Sequence, residues 1–316
     1  MTPSAPVASG LARDDGYELA LDVGQSSTKV RVLRGGGIVR DAEAAGVRTD
    51  LPVLPQLAGT VTRIAAEIGT ITRVSAGVSG LTDPDAERLR ELTAAAGVRE
   101  VLLTHDSVTA FLGALGGQDG TVVAAGTGVV VMAVAGHAVA RVDGWGHVMG
   151  DGGSAFWLGR AGLEAAMRSF DGRGPRSELE TALRAWWPRP ETAYIDLQRD
   201  PEWVRRVAAF AAQVDAAAET DEVASGLCRA AAARLAESVV TASRRVAGEA
   251  PAPVVSAVGG LFRSARTRAQ FAQDVLATLP RAVIREPQGD GAAGAVTLLA
   301  LPDRHPLRAQ ASHARR

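Results

Sequence analysis

Cysteine is nearly absent from the sequence, and Cys228 is the only one among 316 residues. A lone cysteine excludes an intrachain disulfide, a cysteine-ligated zinc and an iron–sulfur cluster. Lysine is equally scarce, since Lys29 is the only lysine among 34 basic residues, and the arginines are spread along the whole chain. With a formal net charge of −1 as well, the sequence argues against a dedicated nucleic-acid binder.

Signals for a membrane or for export are also lacking. The longest apolar run, near 121–135, is interrupted by Gly126 and Gly128 and is too short to span a bilayer. The N-terminus shows no basic segment followed by an apolar one, as a signal peptide would. Because 47% of the residues are hydrophobic and 22% are charged, the composition is that of an ordinary globular protein. We therefore expect a soluble, cytoplasmic protein without a membrane partner.

Several motifs of nucleotide and metal chemistry are missing. The sequence has no G-x-x-x-x-G-K-[ST], which excludes a P-loop protein, and no H-E-x-x-H. No G-x-G-x-x-G follows a predicted strand, which argues against a dinucleotide-dependent oxidoreductase.

Short β-rich runs alternate with longer helical runs, which is typical of an α/β fold. One pattern occurs twice: an apolar strand, a Gly/Ser/Thr turn, a second strand, a glycine turn and a third strand. The first copy opens with Leu19–Asp22 and the second with Val122–Ala125. A single duplication at about 100 residues predicts two related domains.

We assign 17–117 to an N-terminal domain and 118–302 to a C-terminal domain with a helical insertion, the last helix being able to pack back on the N-terminal domain. Residues 1–16 and 303–316 show no periodicity and are expected to be disordered tails.

Four further apolar runs predict buried strands of a parallel sheet, and each leads directly into small or polar residues. Ligands bind beyond the carboxyl ends of such strands, so this polar material lies where a site is expected. The four runs are Thr72–Val78, Glu100–Leu103, Val254–Val258 and Ala282–Ile284.

The two Gly/Ser/Thr turns, Gly24–Ser27 and Gly126–Gly128, are candidate phosphate contacts. Glycines let backbone N–H groups approach an anion, and hydroxyls add short donors. Either turn taken alone is more often a plain hairpin, because glycine and serine dominate turns. Their pairing favours a polyphosphate site.

Two carboxylates follow predicted strands. Asp22 could hold Mg²⁺ through water, or it could stabilise its turn. Asp106 precedes a helical segment and could be an N-cap, or a general base that takes the proton of a substrate hydroxyl. The two interpretations of Asp106 are compatible, because cap geometry would fix the carboxylate in place.

The stretch Gly144–Ser154 is too rich in glycine and polar groups for a strand or a helix, and a helix is predicted after it, over Ala155–Phe170. Trp145 could present its ring to a sugar, and Asp151 could accept hydrogen bonds from sugar hydroxyls. The alternative is a helix-capping loop over a packed tryptophan, but long glycine-rich loops tend to be functional.

The order of these motifs resembles the BadF/BadG/BcrA/BcrD-type ATPases, a branch of the actin-like sugar-kinase superfamily that includes N-acetylglucosamine and glucosamine kinases. The likeness covers roughly 17–302. Gly144-Trp145-Gly146-His147 with Gly150-Asp151, Ser154 and Trp157 looks like the family stretch G-W-G-H-x-x-G-D-E-G-S-x-x-W. Gly291–Gly294 looks like the family's closing G-A-A-x-G segment.

The resemblance implies two ribonuclease H-like domains around an interdomain cleft, a small-molecule sugar substrate, the cofactors ATP and Mg²⁺, and a homodimer. The expected activity is that of an ATP-dependent carbohydrate kinase that phosphorylates N-acetylglucosamine or glucosamine at the 6-hydroxyl. Two alternatives stay open: a nucleotide-binding regulator of the same fold without kinase activity, and an ATPase coupled to a partner.

The resemblance also implies a role for each motif residue. Asp106 is the expected catalytic residue, and Asp22 the expected Mg²⁺ ligand through water. The expected sugar contacts are Asp106, Gly144, Trp145, Gly146 and Asp151; the expected phosphate contacts are Gly24, Ser26, Gly126, Thr127 and Gly128; the expected adenosine contacts are Gly259, Gly260 and Ser264.

Three departures from the family pattern stand out. The first phosphate turn is less glycine-rich than the usual D-x-G-G-T, and Gly152 stands where the family has Glu. The segment 47–52 lacks the asparagine that amino-sugar kinases place after the third strand, although Thr49 or Asp50 could replace it. The lone cysteine separates the chain from the iron–sulfur branch of the family and from the zinc-bearing ROK sugar kinases.

Overall fold

A computed structural model describes residues 16–25, 27–247 and 252–316. The chain divides into two compact units. Unit 1 contains the residues up to Thr109 together with Gly291–Asp303 and Arg308–Arg316, and unit 2 contains Ala110–Asp290 together with Arg304–Leu307. The division falls within a helix rather than at the predicted boundary between residues 117 and 118.

Unit 1 is built on a six-stranded sheet with the order β11-β5-β4-β1-β2-β3, numbered along the chain. Its strands are β1 Tyr17–Val23, β2 Ser27–Arg34, β3 Gly37–Ala45, β4 Ile71–Val78, β5 Glu100–His105 and β11 Ser312–Arg315; its helices are α1 Val53–Ile68, α2 Ala86–Leu92, the start of α3 Asp106–Leu115, α12 Gly291–Ala300 and a 3-10 turn at Ala94–Ala96.

Unit 2 is built on a five-stranded sheet with the order β10-β9-β6-β7-β8. Its strands are β6 Gly120–Ala125, β7 Val129–Ala135, β8 Ala138–Val142, β9 Val254–Val258 and β10 Val283–Ile284. Its helices are α4 Gly146–Met149, α5 Ala155–Phe170, α6 Glu178–Trp186, α7 Ala193–Arg199, α8 Trp203–Ala209, α9 Ala211–Ala217, α10 Glu222–Ala247 and α11 Ala265–Thr278, with 3-10 turns at Pro190–Thr192 and Gly260–Arg263. A further 3-10 turn covers Pro306–Gln310.

The predicted duplication is present in the strand order of the two sheets. In each sheet three consecutive antiparallel strands are followed by two parallel strands added beside the first of them. The apolar runs that predicted these strands form the cores, as with Leu19 and Leu21 in unit 1 and Val123 and Val131 in unit 2, all fully buried. The chain therefore has a mixed α/β fold with two sheets.

The register of unit 1 aligns the carboxyl ends of three parallel strands. Asp22 at the end of β1 pairs with Gly77 of β4, and Gly77 pairs with Thr104 of β5. Neighbouring strands lie about 4.8 Å apart, so the backbones of β1 and β5 are separated by about 10 Å across β4. The residues that follow β1 and β5 therefore emerge from one edge of the sheet.

The disordered tail predicted over 303–316 is wrong. Ser312–Arg315 pairs antiparallel with β5, and the buried Ala314 joins the apolar core of unit 1. The side chain of His313 lies 3.0 Å from a Glu100 oxygen, and Thr104 donates to the carbonyl of Gln310 at 2.9 Å. Pairing with a strand far back in the sequence leaves no local periodicity, so the sequence did not reveal it.

One sequence expectation about a single residue agrees with the structure. Cys228 is buried on α10, and burial raises the pKa of its thiol to about 11, so it is an inert core residue. Within 16–25, 27–247 and 252–316, no helix is long and apolar enough to cross a bilayer.

Arg73 on β4 ties together three parts of unit 1. Its guanidinium contacts Glu18 on β1 at 2.6 Å and Glu100 on β5 at 3.0 Å, and it donates to the carbonyl of Leu299 in α12 at 2.9 Å. These carboxylates are only 19% and 12% exposed. The network holds the last helix of the chain against the sheet.

We expect Arg73→Met to destabilise unit 1 by about 2 kcal/mol, because it leaves the poorly hydrated Glu18 carboxylate and the Leu299 carbonyl without this donor and removes one of the partners of Glu100. Urea unfolding followed by circular dichroism measures the loss. The matched control is Arg88→Met, which breaks an exposed pair with Glu91 and should cost less than about 0.5 kcal/mol. Equal losses in the two variants would contradict the role of Arg73.

Candidate active site

The carboxylate of Asp22 lies against a glycine at the start of α12. A Cβ atom at Gly291 would fall 2.5–2.6 Å from the carboxylate atoms of Asp22, closer than real contacts allow. The close approach is possible only because residue 291 has no side chain. The half-buried Asp22 is thereby held at the sheet edge, and a single carboxylate in such a place suits Mg²⁺ bound through water.

The first hairpin turn follows Asp22 directly. Gly24 donates its amide to the carbonyl of Ser27 at 3.0 Å and accepts from the amide of Val47 at 3.0 Å. The turn is thus tied to the segment after β3. Ser26, a predicted phosphate contact, lies outside the described residues.

Asp106 starts α3, directly after β5. Its Oδ1 lies 2.7 Å from Nδ1 of His105, but the amide of Ser107 donates to the same nitrogen. A ring nitrogen that accepts an amide hydrogen carries a lone pair, so the contact is not a hydrogen bond while Asp106 is ionised. Oδ1 is accordingly buried without a hydrogen-bond partner among the described residues. The side chain as a whole is 31% exposed.

The second hairpin turn, Gly126–Gly128, is docked on the N-terminus of α5. The amide of Ala155 donates to the carbonyl of Gly126 at 2.9 Å, and the amide of Phe156 donates to that of Thr127 at 3.1 Å. Ser154 caps the same helix by accepting from the amide of Trp157. Thr127 is exposed at the tip, where a phosphate contact needs it.

Asp151 lies behind this turn rather than on an open surface. The residue is 8% exposed, and its Oδ2 would fall 2.7 Å from a Cβ at Gly128. Burial raises the pKa of its carboxyl above the usual range; the amide of Val129 opposes this shift and the charge of Asp143 adds to it. The carboxylate therefore fixes the second hairpin turn, while the sugar contact assigned to it stays a prediction.

The glycine-rich stretch is not wholly a loop, because Gly146–Met149 forms the one-turn helix α4. Trp145 precedes it and is 58% exposed, with the guanidinium of Arg141 5.1 Å from the ring centroid. Arg141 also donates to the carbonyl of Gly144 at 2.6 Å. The ring is thus supported on one side and open to solvent over more than half of its surface.

Asp143 organises this stretch, and sequence reasoning missed it. Its carboxylate accepts three backbone amides, from Gly144 at 2.8 Å, Asp151 at 2.7 Å and Gly152 at 3.0 Å. Asp143 and Asp151 both have left-handed backbones, with φ of 59° and 58°. An aspartate directly after a strand and before glycine was the available clue, since aspartate tolerates this conformation and bonds nearby amides.

The predicted adenosine residues follow β9. Gly259 lies against the end of β6, where a Cβ would come within 2.2 Å of the Ala125 carbonyl oxygen, and Gly260 opens a 3-10 turn. The hydroxyl of Ser264 caps α11 and donates to Asp215 at 2.6 Å. Ser264 therefore has a structural role, and its contact with a nucleotide stays a prediction.

Each unit by itself brings predicted residues together. In unit 1, Asp22 lies near the end of β1, Gly24 directly after β1 and Asp106 directly after β5, and these strands end at one sheet edge. In unit 2, the Gly126–Gly128 turn meets Asp151, and Gly259 lies against Ala125. Among the residues that the structure covers, no group of three or more His, Cys, Asp or Glu side chains could hold a metal ion.

Comparison with solved structures shows that the chain shares its fold with proteins described as sugar kinases. A candidate N-acetylglucosamine kinase from Chromobacterium violaceum superimposes with a TM-score of 0.69 at 24% identity, covering 90% of this chain and 99% of that one. A ROK family glucokinase from Streptomyces griseus, solved with glucose and AMPPNP, gives a TM-score of 0.55 at 18% identity, covering 89% and 97%. At these identities the likeness is one of fold.

The sequence identifies the family, because the model of the BadF/BadG/BcrA/BcrD ATPase family matches residues 19–300. The chain belongs to this family. An N-acetylmuramic acid/N-acetylglucosamine kinase from Clostridium acetobutylicum is 35% identical over 83 residues. This match spans about a quarter of each protein, 26% of this chain and 27% of the relative.

We expect Gly291→Ala to displace the Asp22 carboxylate and to raise the Mg²⁺ concentration needed for ATP turnover about tenfold, as disturbed outer contacts of a metal site do. Mg²⁺ titration of ADP release measures the shift. The matched control is Gly59→Ala on α1, where a Cβ meets no atom within 4 Å. A normal Mg²⁺ requirement in Gly291→Ala would remove Asp22 from the metal site.

The raised pKa of Asp151 predicts a pH-dependent stability. The folded state binds this proton more tightly than the unfolded chain, so the contribution is complete below the unfolded pKa and is lost as pH rises through the folded pKa. Asp151→Asn should therefore gain stability relative to the parent chain between pH 3 and pH 7. Thermal melts of both proteins across this range measure the difference, and a difference independent of pH would contradict the prediction.

Proposed function

We propose that the chain is an ATP-dependent kinase that phosphorylates an amino sugar, N-acetylglucosamine or glucosamine, at its 6-hydroxyl. One observation carries this proposal: the register of β1, β4 and β5 brings a metal-type carboxylate, Asp22, and a base-type carboxylate, Asp106, to the same sheet edge about 10 Å apart at the backbone. Family membership and the kinase names of the relatives support it.

Asp106 is the general base in this proposal. The sugar hydroxyl oxygen bonds to the γ-phosphorus of ATP, the bond from that phosphorus to the β-phosphate oxygen breaks, and the hydroxyl proton passes to Asp106. The transition state is loose and the proton leaves late, so an ordinary aspartate suffices. The start of α3 places the carboxylate at the end of β5, where it can orient the hydroxyl.

The two hairpin turns are the proposed phosphate contacts. Exposed Thr127 and the backbone amides at the tips of the two turns donate to phosphate oxygens, while the amides of Gly24 and Gly126 close the turns by donating to the carbonyls of Ser27 and Gly128. Mg²⁺, held through water by Asp22, would neutralise charge that develops on the phosphates. We also propose the two ribonuclease H-like domains, the adenosine contacts near Gly260 and the homodimer that the family resemblance implies.

The choice of sugar rests on the names of the relatives and on the segment after β3. The relative from Clostridium acetobutylicum is named for both N-acetylmuramic acid and N-acetylglucosamine. In the segment after β3, where an asparagine was expected, Asp50 is exposed and pairs with Arg48 at 2.6 Å, which lowers the pKa of its carboxyl. ADP release in the presence of a panel of hexoses and amino sugars identifies the substrate. Release independent of any sugar would instead favour a partner-coupled ATPase.

We expect Asp106→Asn to lower turnover by at least about 100-fold with nucleotide affinity nearly unchanged, because the change removes the base and leaves the phosphate contacts intact. Steady-state ADP release and ATP titration measure the two effects. The matched control is Asp41→Asn, a 72% exposed carboxylate on β3 that should leave both unchanged. Normal turnover in Asp106→Asn would exclude this residue from the mechanism.

A further inference from the structure

Unit 2 contains a cavity of about 950 Å³ that the proposed reaction leaves without an assigned ligand. It is bounded by the stretch after β8 and by residues of α5, α8 and α10. Of the unit 2 residues predicted to contact sugar, Trp145 lines the cavity, whereas Asp151 lies against Gly128. The cavity therefore begins at the proposed sugar contact and extends beyond it.

The cavity has aromatic walls. Trp145, Trp157 and Trp203 line it, which is three of the five tryptophans in the chain. The ring of Trp203 packs on His147 and Phe156 at centroid distances of 5.1 Å and 5.6 Å, and these two rings also line the cavity. Tryptophan presents a large apolar face beside a polar edge, a surface that suits the mixed apolar and hydroxyl character of a sugar ring.

Arg234 on α10 supplies a positive charge to this cavity. Its guanidinium carbon lies 5.2 Å from the centroid of the Trp157 ring, a contact that positions the group without neutralising it. Within the described part of the chain, Arg234 forms no hydrogen bond or salt bridge within the usual limits, including none to Glu237 one turn later. An arginine fork held in this way can bind a planar anion with two parallel hydrogen bonds.

None of the other charged side chains that line the cavity forms a salt bridge with Arg234 among the described residues. Arg160 adds a second guanidinium, whose contact with Glu164 is long at 3.8 Å and exposed. The Asp143 carboxylate already accepts three backbone amides. Glu237 is the remaining carboxylate in the lining and has no ion pair among the described residues.

The backbone opens space next to Arg234. A Cβ atom at Gly152 would lie 3.6 Å from Cδ of Arg234, in ordinary contact, and the backbone there is not in the left-handed region. The same Cβ atom would lie 3.7 Å from Oδ2 of Asp143, so a side chain introduced at 152 starts between the alkyl chain of Arg234 and the Asp143 carboxylate and causes no backbone strain. This makes position 152 a means of testing what Arg234 binds.

We propose that this cavity binds the carboxylate-bearing arm of an acidic amino sugar, with Arg234 pairing with the carboxylate and Trp145 packing against the ring. The inference rests on the proposed amino-sugar kinase function, because it places the ring at Trp145. The substrate class is then an amino sugar with an acidic substituent, bound in preference to its neutral counterpart.

The test is a titration of tryptophan fluorescence without ATP, using N-acetylmuramic acid as the acidic probe and N-acetylglucosamine as the neutral one. We expect the acidic sugar to bind about tenfold more tightly, the size of one charge-assisted hydrogen-bonded pair. Arg234→Gln should abolish this preference and leave the neutral sugar within about twofold, while Arg234→Lys should retain part of it. Thermal melts verify that each variant is folded.

Position 152 provides an independent variant. Gly152→Glu should abolish the preference by placing a carboxylate beside Arg234, and its neutral control, Gly152→Gln, should keep most of it. Equal binding of the two sugars by the parent protein, or a preference that survives both Arg234→Gln and Gly152→Glu, would overturn the proposal.

Phosphorylation assays separate this proposal from the kinase function. If both sugars are phosphorylated and neither is bound preferentially, the kinase function is supported and the proposed acidic subsite is excluded. If the acidic sugar is bound preferentially through Arg234 but neither sugar is phosphorylated, the subsite is supported and the kinase function is excluded.

Discussion

In each unit, a carboxylate packs against a glycine that has no room for a side chain, and the candidate site depends on this contact. Asp22 lies against Gly291 at the start of α12, and Asp151 lies against Gly128 in the second hairpin turn. Neither carboxylate could occupy its position if a Cβ were present. In the sequence these glycines suggest only turns, but in the structure Gly291 and Gly128 determine where the two carboxylates lie.

Much of the fold could be predicted from the sequence because its strands are continuous apolar runs. β4 and β7 are almost wholly buried, and such runs are recognisable without knowledge of their partners. The repeated order of strands and turns predicted the two sheets. Helix α5 begins and ends at the residues predicted for it. These features are local, so the residues that encode them are neighbours in the sequence.

What could not be predicted depends on residues that are distant in sequence or on backbone conformation. β11 has no apolar pattern of its own and exists because β5 offers it a free edge. Asp143 acts through amides that lie up to nine residues away, and those amides converge only after Asp143 and Asp151 adopt left-handed backbones. Asp151 itself was identified as a motif residue, but its burial behind Gly128 follows from the way the second hairpin turn docks on α5.

The division of the chain has a consequence for how the protein is made. Unit 1 draws its sheet from residues before Thr109 and completes it with α12 and β11, which are synthesised after all of unit 2 up to Asp290. Domains tend to fold as units while the chain emerges. The unit whose synthesis begins first is therefore the last to be finished. Until the closing segment is made, β5 presents an open edge and Arg73 lacks the Leu299 carbonyl. During that interval, the nascent chain exposes the kind of unpaired strand on which chaperones and aggregation act.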